Sequence, residues 1–143
     1  MITIKDIMTP EVFVLRATQT LDLARSLMKI KHVRHIPIVD HDDRSFVGLL
    51  THRDLLAYTI SLVADPDEDE QKEMDKYIHI CNVMKTNVVT VDPDMELGLA
   101  ISILLKNKYG CLPVVNDGKL VGIVTEADFL KLTLKLLNTV GES

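Results

Sequence analysis

Apolar and polar positions along this chain switch between two periods, and they do so twice in the same order. A short apolar, β-branched run at Val12–Leu15 predicts a strand. Apolar residues then fall at helical spacing at Leu21, Ala24, Leu27 and Met28. Two further strands follow at His35–Val39 and Phe46–Leu50, and a helix runs from near Thr51 to about Leu62. The second half predicts the same series: a strand at Val88–Val91, a helix carrying Leu97, Ala100, Ile103 and Leu104, strands at Cys111–Val115 and Leu120–Val124, and a helix from near Thr125 to about Leu137. Thr18 or Thr20, and Asp94, have the chemistry to cap the first helix of each half. Asp40-His41-Asp42-Asp43 and Asn116-Asp117-Gly118 supply turn chemistry between the paired strands. The expected fold is α+β, with β-α-β-β-α read twice.

The two halves are copies. Shifting residues 7–39 forward by 76 places Met8, Val12, Leu21, Leu23, Ala24, Ser26, Pro37 and Val39 on identical residues. After a longer loop in copy one the shift becomes 74, and Val47, Gly48, Thr51, Asp54 and Leu56 meet Val121, Gly122, Thr125, Asp128 and Leu130. Self-similarity in fixed order marks a tandem repeat. The boundaries read from sequence are residues 1–62, a linker at 63–79, and residues 80–143. The strands are almost wholly apolar, so both sheet faces should be covered. Each copy, of roughly sixty residues, is too small to be comfortable alone. The two are therefore expected to pack sheet to sheet about a pseudo-twofold axis, an arrangement that generates clefts in pairs, where small ligands bind.

Charge sharpens this picture. Of the 143 residues 47% are hydrophobic, and the formal net charge is −5. The seven acids Asp65, Asp67, Glu68, Asp69, Glu70, Glu73 and Asp75, set against Lys72 and Lys76, account for that excess. The segment reads as a solvated linker: Pro66 breaks the preceding helix and the acids suit the first turn of a new one. Elsewhere charge is balanced, and no basic field exists to hold a nucleic acid backbone. No apolar run reaches a membrane span and residues 1–30 show no signal peptide, so a soluble cytoplasmic protein is expected. Cys81 and Cys111 have neither disulfide nor metal spacing.

The best-matched stretch is Gly48-Leu49-Leu50-Thr51-His52-Arg53-Asp54 against Gly122-Ile123-Val124-Thr125-Glu126-Ala127-Asp128. A strand ends, a threonine sits where a helix starts, and a carboxylate follows one turn later. That is the chemistry of a capping box, in which each side chain satisfies orphan backbone N–H groups. The same carboxylate can accept hydrogen bonds from a diol, as acidic residues do for nucleotide riboses, while the helix N-terminus faces an anion. Both roles can hold at once.

These residues, with Pro-h-Val-h before them (h, an apolar residue) and Met-Thr-Pro opening the first unit, resemble the cystathionine β-synthase (CBS) domain, and two in tandem resemble a CBS pair, or Bateman module. The resemblance covers residues 4–62 and 80–137. It implies a regulatory sensor of AMP, ADP, ATP, S-adenosylmethionine or a related ligand, with no catalytic role. By the same resemblance, Asp54 and Asp128 contact ribose hydroxyls, Thr51 and Thr125 lie beside ribose or phosphate, and the backbone before and around the family proline, here Ile36-Pro37 and Leu112-Pro113, lines the adenine pocket. In relatives such as the γ subunits of AMP-activated kinase, basic residues before the Pro-h-Val segment and just before the motif aspartate contact phosphate. In copy one these positions hold Arg34, His35 and Arg53, with His52 adjacent; in copy two they hold Gly110, Cys111 and Ala127, with Glu126 adjacent. A phosphate is therefore expected at copy one. The family also implies a homodimer and a regulated partner protein that the sequence does not name.

Two rival readings stand beside the sensor: a ligand-independent dimerisation scaffold, and a protein acting chemically on a nucleotide. The second lacks a positioned nucleophile, a metal set or a glycine-rich phosphate loop. His32, His35, His41, His52 and His79 have no metal-ligand spacing. Cys111, in a predicted strand, reads as core. Tyr109 is expected to plug the sheet edge rather than stack on adenine, and Met8, Met28, Met74, Met84 and Met95 to fill gaps.

Overall fold

The structure is a computed structural model that describes residues 2–40, 43–60, 67–108 and 110–142. Tyr109, His41, Pro66 and the expected helix end near Leu62 lie outside the described residues. The chain forms two compact units: residues 13–88, and residues 1–12 together with 89–143. The mixed α and β content expected from the two periods is present in both.

In the unit of residues 13–88, β1 (Leu15–Arg16) pairs in parallel with β2 (His35–Asp40), which pairs antiparallel with β3 (Ser45–Thr51). Helices α1 (Leu21–Lys31), α2 (His52–Ile60) and α3 (Glu68–Asp75) complete it. The apolar stripe of α1 meets the sheet, and Leu21, Ala24, Met28, Ile36, Ile38, Leu50, Leu55 and Ile80 form one buried cluster. Helix α1 stops at His32, whose φ of 54° is a left-handed cap.

The other unit repeats this plan with α4 (Leu97–Lys106), β4 (Cys111–Asn116), β5 (Lys119–Thr125) and α5 (Glu126–Glu142). Its core is Ile4, Val91, Leu97, Ala100, Leu104, Leu112, Val114 and Val124. Strands β4 and β5 join through Asp117 and Gly118, at φ 53° and 78°. Two successive positive φ values give the turn whose twist matches a hairpin, and Asp-Gly suits it. Phe129 and Leu132 of α5 pack against the core.

The opening strand of each copy is the largest departure from the hydrophobic pattern. Only Leu15 of Val12–Leu15 is in β1, and Val88–Val91 contributes one isolated bridge, Val91 to Val114. Phe13 and Val89 are 45% and 47% exposed, so these runs lack the second flank that a full strand needs. The caps also differ. Asp94 is not a cap: α4 starts after Glu96, and the Asp92 carboxylate accepts from the Asp94 N–H. Thr20 holds the cap position of α1, but its hydroxyl bonds to Asp22 rather than to a helix N–H.

The acidic segment is partly ordered structure. Asp67 caps α3 by accepting from the Glu70 N–H at 2.8 Å. At the far end of α3 Asp75 is fully buried, paired with Arg25 of α1 and accepting from Gln71 Nε2 at 2.8 Å.

Each unit is also completed by the leading segment of the other repeat. Ile80 N–H donates to Gln19 O at 2.8 Å and Cys81 N–H to Ala17 O at 3.0 Å. The repeat-equivalent bonds are Ile4 N–H to Met95 O at 3.0 Å and Lys5 N–H to Pro93 O at 2.9 Å. Ile4 and Ile80 have no exposed surface.

Candidate functional site

The motif stretch turns from strand to helix in both units. In the first, β2 and β3 align His35 with Thr51, Ile36 with Leu50 and Pro37 with Leu49. Arg34 O accepts from His52 N–H at 2.9 Å. One sheet end therefore gathers Arg34, His35, Ile36 and Pro37 with Thr51, His52, Arg53 and Asp54. Arg34, His52 and Arg53 are exposed, His35 is half-buried, and Ile36 and Pro37 are buried. In the second unit Cys111 aligns with Thr125, Leu112 with Val124 and Pro113 with Ile123, and Glu126 N–H donates to Gly110 O at 3.2 Å. Leu112 and Pro113 are buried; Thr125 and Asp128 are half-buried.

The capping role of the motif is present in both units, unequally. Asp54 Oδ2 accepts from Thr51 N–H at 2.8 Å and from the Thr51 hydroxyl at 2.9 Å, while that hydroxyl accepts from Asp54 N–H at 3.1 Å. Asp128 Oδ2 accepts from Thr125 N–H at 2.8 Å and from its hydroxyl at 3.3 Å. Each carboxylate is thus turned back onto the strand end by its own threonine, which fixes one oxygen and aims the other outward.

What fills the outward position differs. Lys85 Nζ lies 2.9 Å from Asp54 Oδ1, with the Asp54 side chain only 10% exposed. The repeat equivalent of Lys85 is Thr9, so Asp128 faces no ammonium at that place. Lys85 was not singled out by the motif, because it lies 31 residues beyond Asp54 in the next repeat. The signal that marks it is the break in the repeat itself, lysine where copy one has threonine.

Two glycines of the motif have a steric reason. A Cβ at Gly48 would meet Lys85 O at 2.7 Å and Met84 Sδ at 2.8 Å; one at Gly122 would meet Met8 Sδ at 2.8 Å and Thr9 O at 2.9 Å. Only glycine lets the leading segment of the other repeat lie against the strand.

This duplicated architecture and its Thr-x-x-Asp turns match the CBS-domain profile over residues 4–61 and again over 80–135. The chain belongs to the CBS-domain family. It is 29% identical over 140 residues to a CBS domain-containing protein of Dictyostelium discoideum, covering 97% of this chain and 96% of that one. The crystal structure of AcuB from Vibrio cholerae superposes with a TM-score of 0.82 at 36% identity, covering 100% and 98% of the two chains. That of the CBS-pair protein CBSX2, from Arabidopsis thaliana, in complex with AMP, gives 0.77 at 31% identity, covering 94% and 97%. The protein is thus a CBS pair, a kind of module that is typically regulatory rather than catalytic.

Other chemistry is sparse. Among the described residues no three His, Cys, Asp or Glu side chains group as a metal site, and no helix is long and apolar enough to cross a membrane. Cys111 is buried in β4, and burial pushes its thiol up to about 12. It is chemically quiet at neutral pH, in keeping with a core role.

Proposed function

We propose that this CBS pair is a regulatory module that binds an adenine nucleotide of the AMP, ADP or ATP type and passes its occupancy to a partner protein. The observation that carries the reading is the gathering of Arg34, His35, His52 and Arg53 around the Thr51–Asp54 turn, at the end of a buried hairpin. Guanidinium and imidazole groups beside a helix N-terminus suit a phosphate, and the motif carboxylate suits the ribose diol. By the family resemblance the backbone around Pro37, and around Pro113 in the other copy's own site, faces the base, while the Ile36 and Leu112 side chains are buried in their cores. The resemblance to CBSX2, whose structure holds AMP, supports the same ligand class, and S-adenosylmethionine remains a member of it.

The module acts in the cytoplasm in this reading, as a homodimer. Leu130, Leu134, Leu137 and Val140 on the outer face of α5 are 60–72% exposed, which supports association with a second copy.

The Lys85–Asp54 pair favours the scaffold as a second reading, because it leaves that carboxylate satisfied with no ligand. Thermal unfolding with AMP, ADP, ATP, S-adenosylmethionine and GTP separates the two. A ligand at a hundred times its dissociation constant adds about 2.7 kcal/mol, several degrees in a chain of this size. A rise with adenine ligands that Arg53→Ala reduces supports the sensor. No rise with any of them, in a protein that folds and associates, leaves the scaffold.

A further inference from the structure

We propose that Lys85 is a tethered competitor for the ligand carboxylate of copy one, and that it makes this copy select phosphorylated over unphosphorylated adenosine. The inference rests on the nucleotide reading above. It begins from two backbone seats that are the same in both units. Lys85 N–H donates to Leu49 O at 2.8 Å and Leu49 N–H to Lys85 O at 2.9 Å. Thr9 N–H donates to Ile123 O at 2.9 Å and Ile123 N–H to Thr9 O at 3.0 Å. Leu49 and Ile123 are repeat equivalents, as are Lys85 and Thr9, so the molecule contains its own control: one seat, two side chains.

In copy one the seat delivers an ammonium to Asp54 Oδ1 at 2.9 Å. Oδ2 already holds two bonds from Thr51, and the side chain is 10% exposed. A carboxylate offers about four acceptor positions, and three are taken. A ribose diol, which needs two, can bind only when Lys85 withdraws. In copy two the Thr125 bonds hold Asp128 Oδ2, and among the described residues no ion pair engages its Oδ1.

A neutral nucleoside brings nothing to draw the ammonium away. A phosphate does: held by Arg53, the chain neighbour of the Asp54 that Lys85 engages, it offers the ammonium on its flexible stem a second anion. The phosphate thus unlatches Asp54 for the diol of the same molecule. Lys85 is a specificity-determining residue that acts through Asp54.

The test titrates AMP and adenosine calorimetrically into the full chain carrying Asp128→Ala, which confines the reading to copy one, with and without Lys85→Thr. Lys85→Met, which keeps the stem, serves as a second variant should threonine disturb folding. A hydrogen bond to a charged group sets the scale. Removing Lys85 is expected to tighten adenosine about tenfold and to lower the AMP-to-adenosine affinity ratio by at least as much. 2′-Deoxyadenosine should gain little, since it lacks half the diol. Unchanged affinities for both ligands would overturn the competitor while leaving the nucleotide reading intact. Equal weakening of both ligands would also overturn it, making Lys85 a plain contact. No binding of either ligand to any of these proteins, together with none to the parent chain, would overturn both.

Discussion

Met84 lies across Gly48 so closely that a Cβ there would come within 2.8 Å of its sulfur and 2.7 Å of the Lys85 carbonyl oxygen. Met8 and Thr9 crowd Gly122 in the same way. The methionine can swing aside, but the carbonyl is held by the Leu49 and Ile123 ladder bonds in the two units. Gly48→Ala and Gly122→Ala are therefore each expected to cost about 1–3 kcal/mol through forced backbone movement. Urea unfolding of the two variants reads this directly. Adding Met84→Ala to Gly48→Ala should recover only part, and a full recovery would mean that the carbonyl contact is not limiting.

The two motif carboxylates should differ in their contribution to folding without ligand. Asp54 receives three bonds and joins a reciprocal box with a buried Thr51, while Asp128 has a short bond and a long one. Asp54→Ala is expected to cost about 2 kcal/mol and Asp128→Ala about 1 kcal/mol. Little of the difference comes from Lys85 itself, which is 38% exposed and screened by water. Denaturation midpoints of the two variants in the absence of nucleotide check the order, and an inverted order would contradict the geometry.

Much of this fold was legible from periodicity. The strands around Pro37 and Pro113 read clearly because they are buried on both faces, so almost every residue in them is apolar. The strand–turn–helix of Thr51–Asp54 read clearly because a cap is a local device. Three features did not. The first strand of each copy was overextended because valine-rich runs look alike whether they have one neighbour or two. Asp75 looked like solvated charge, since an acid among acids carries no mark of the arginine fifty residues earlier that buries it. Lys85 touches Asp54 only because each repeat lends its opening residues to the other unit's packing, and that exchange leaves no trace in spacing.

Arg25 and Asp75 tie three helices together. Arg25 Nη2 donates to Thr59 of α2 at 2.9 Å while its Nε faces Asp75 at the end of α3. Removing one partner of a buried pair strands the other's charge. Arg25→Met is expected to destabilise by about 3 kcal/mol, whereas Arg25→Met with Asp75→Leu should recover most of the loss. Chemical denaturation of the single and double variants gives the answer. A double variant as unstable as the single would show that packing of the aliphatic stem, not stranded charge, sets the cost.

The two thiols should behave oppositely. Cys81 is exposed and is expected to react with a thiol reagent at once, whereas buried Cys111 should wait for unfolding. Burial raises the Cys111 thiol from 9.0 to about 12, so between those values the folded chain holds a proton that the unfolded chain releases. Stability from this group is full below pH 9 and is lost as pH rises. The loss should be about 1 kcal/mol at pH 10. Cys111→Ala removes the group, so the difference in alkaline slope between parent and variant isolates it from the tyrosines and lysines that titrate alongside. Identical slopes, or two fast thiols in the native protein, would place Cys111 outside the core of β4.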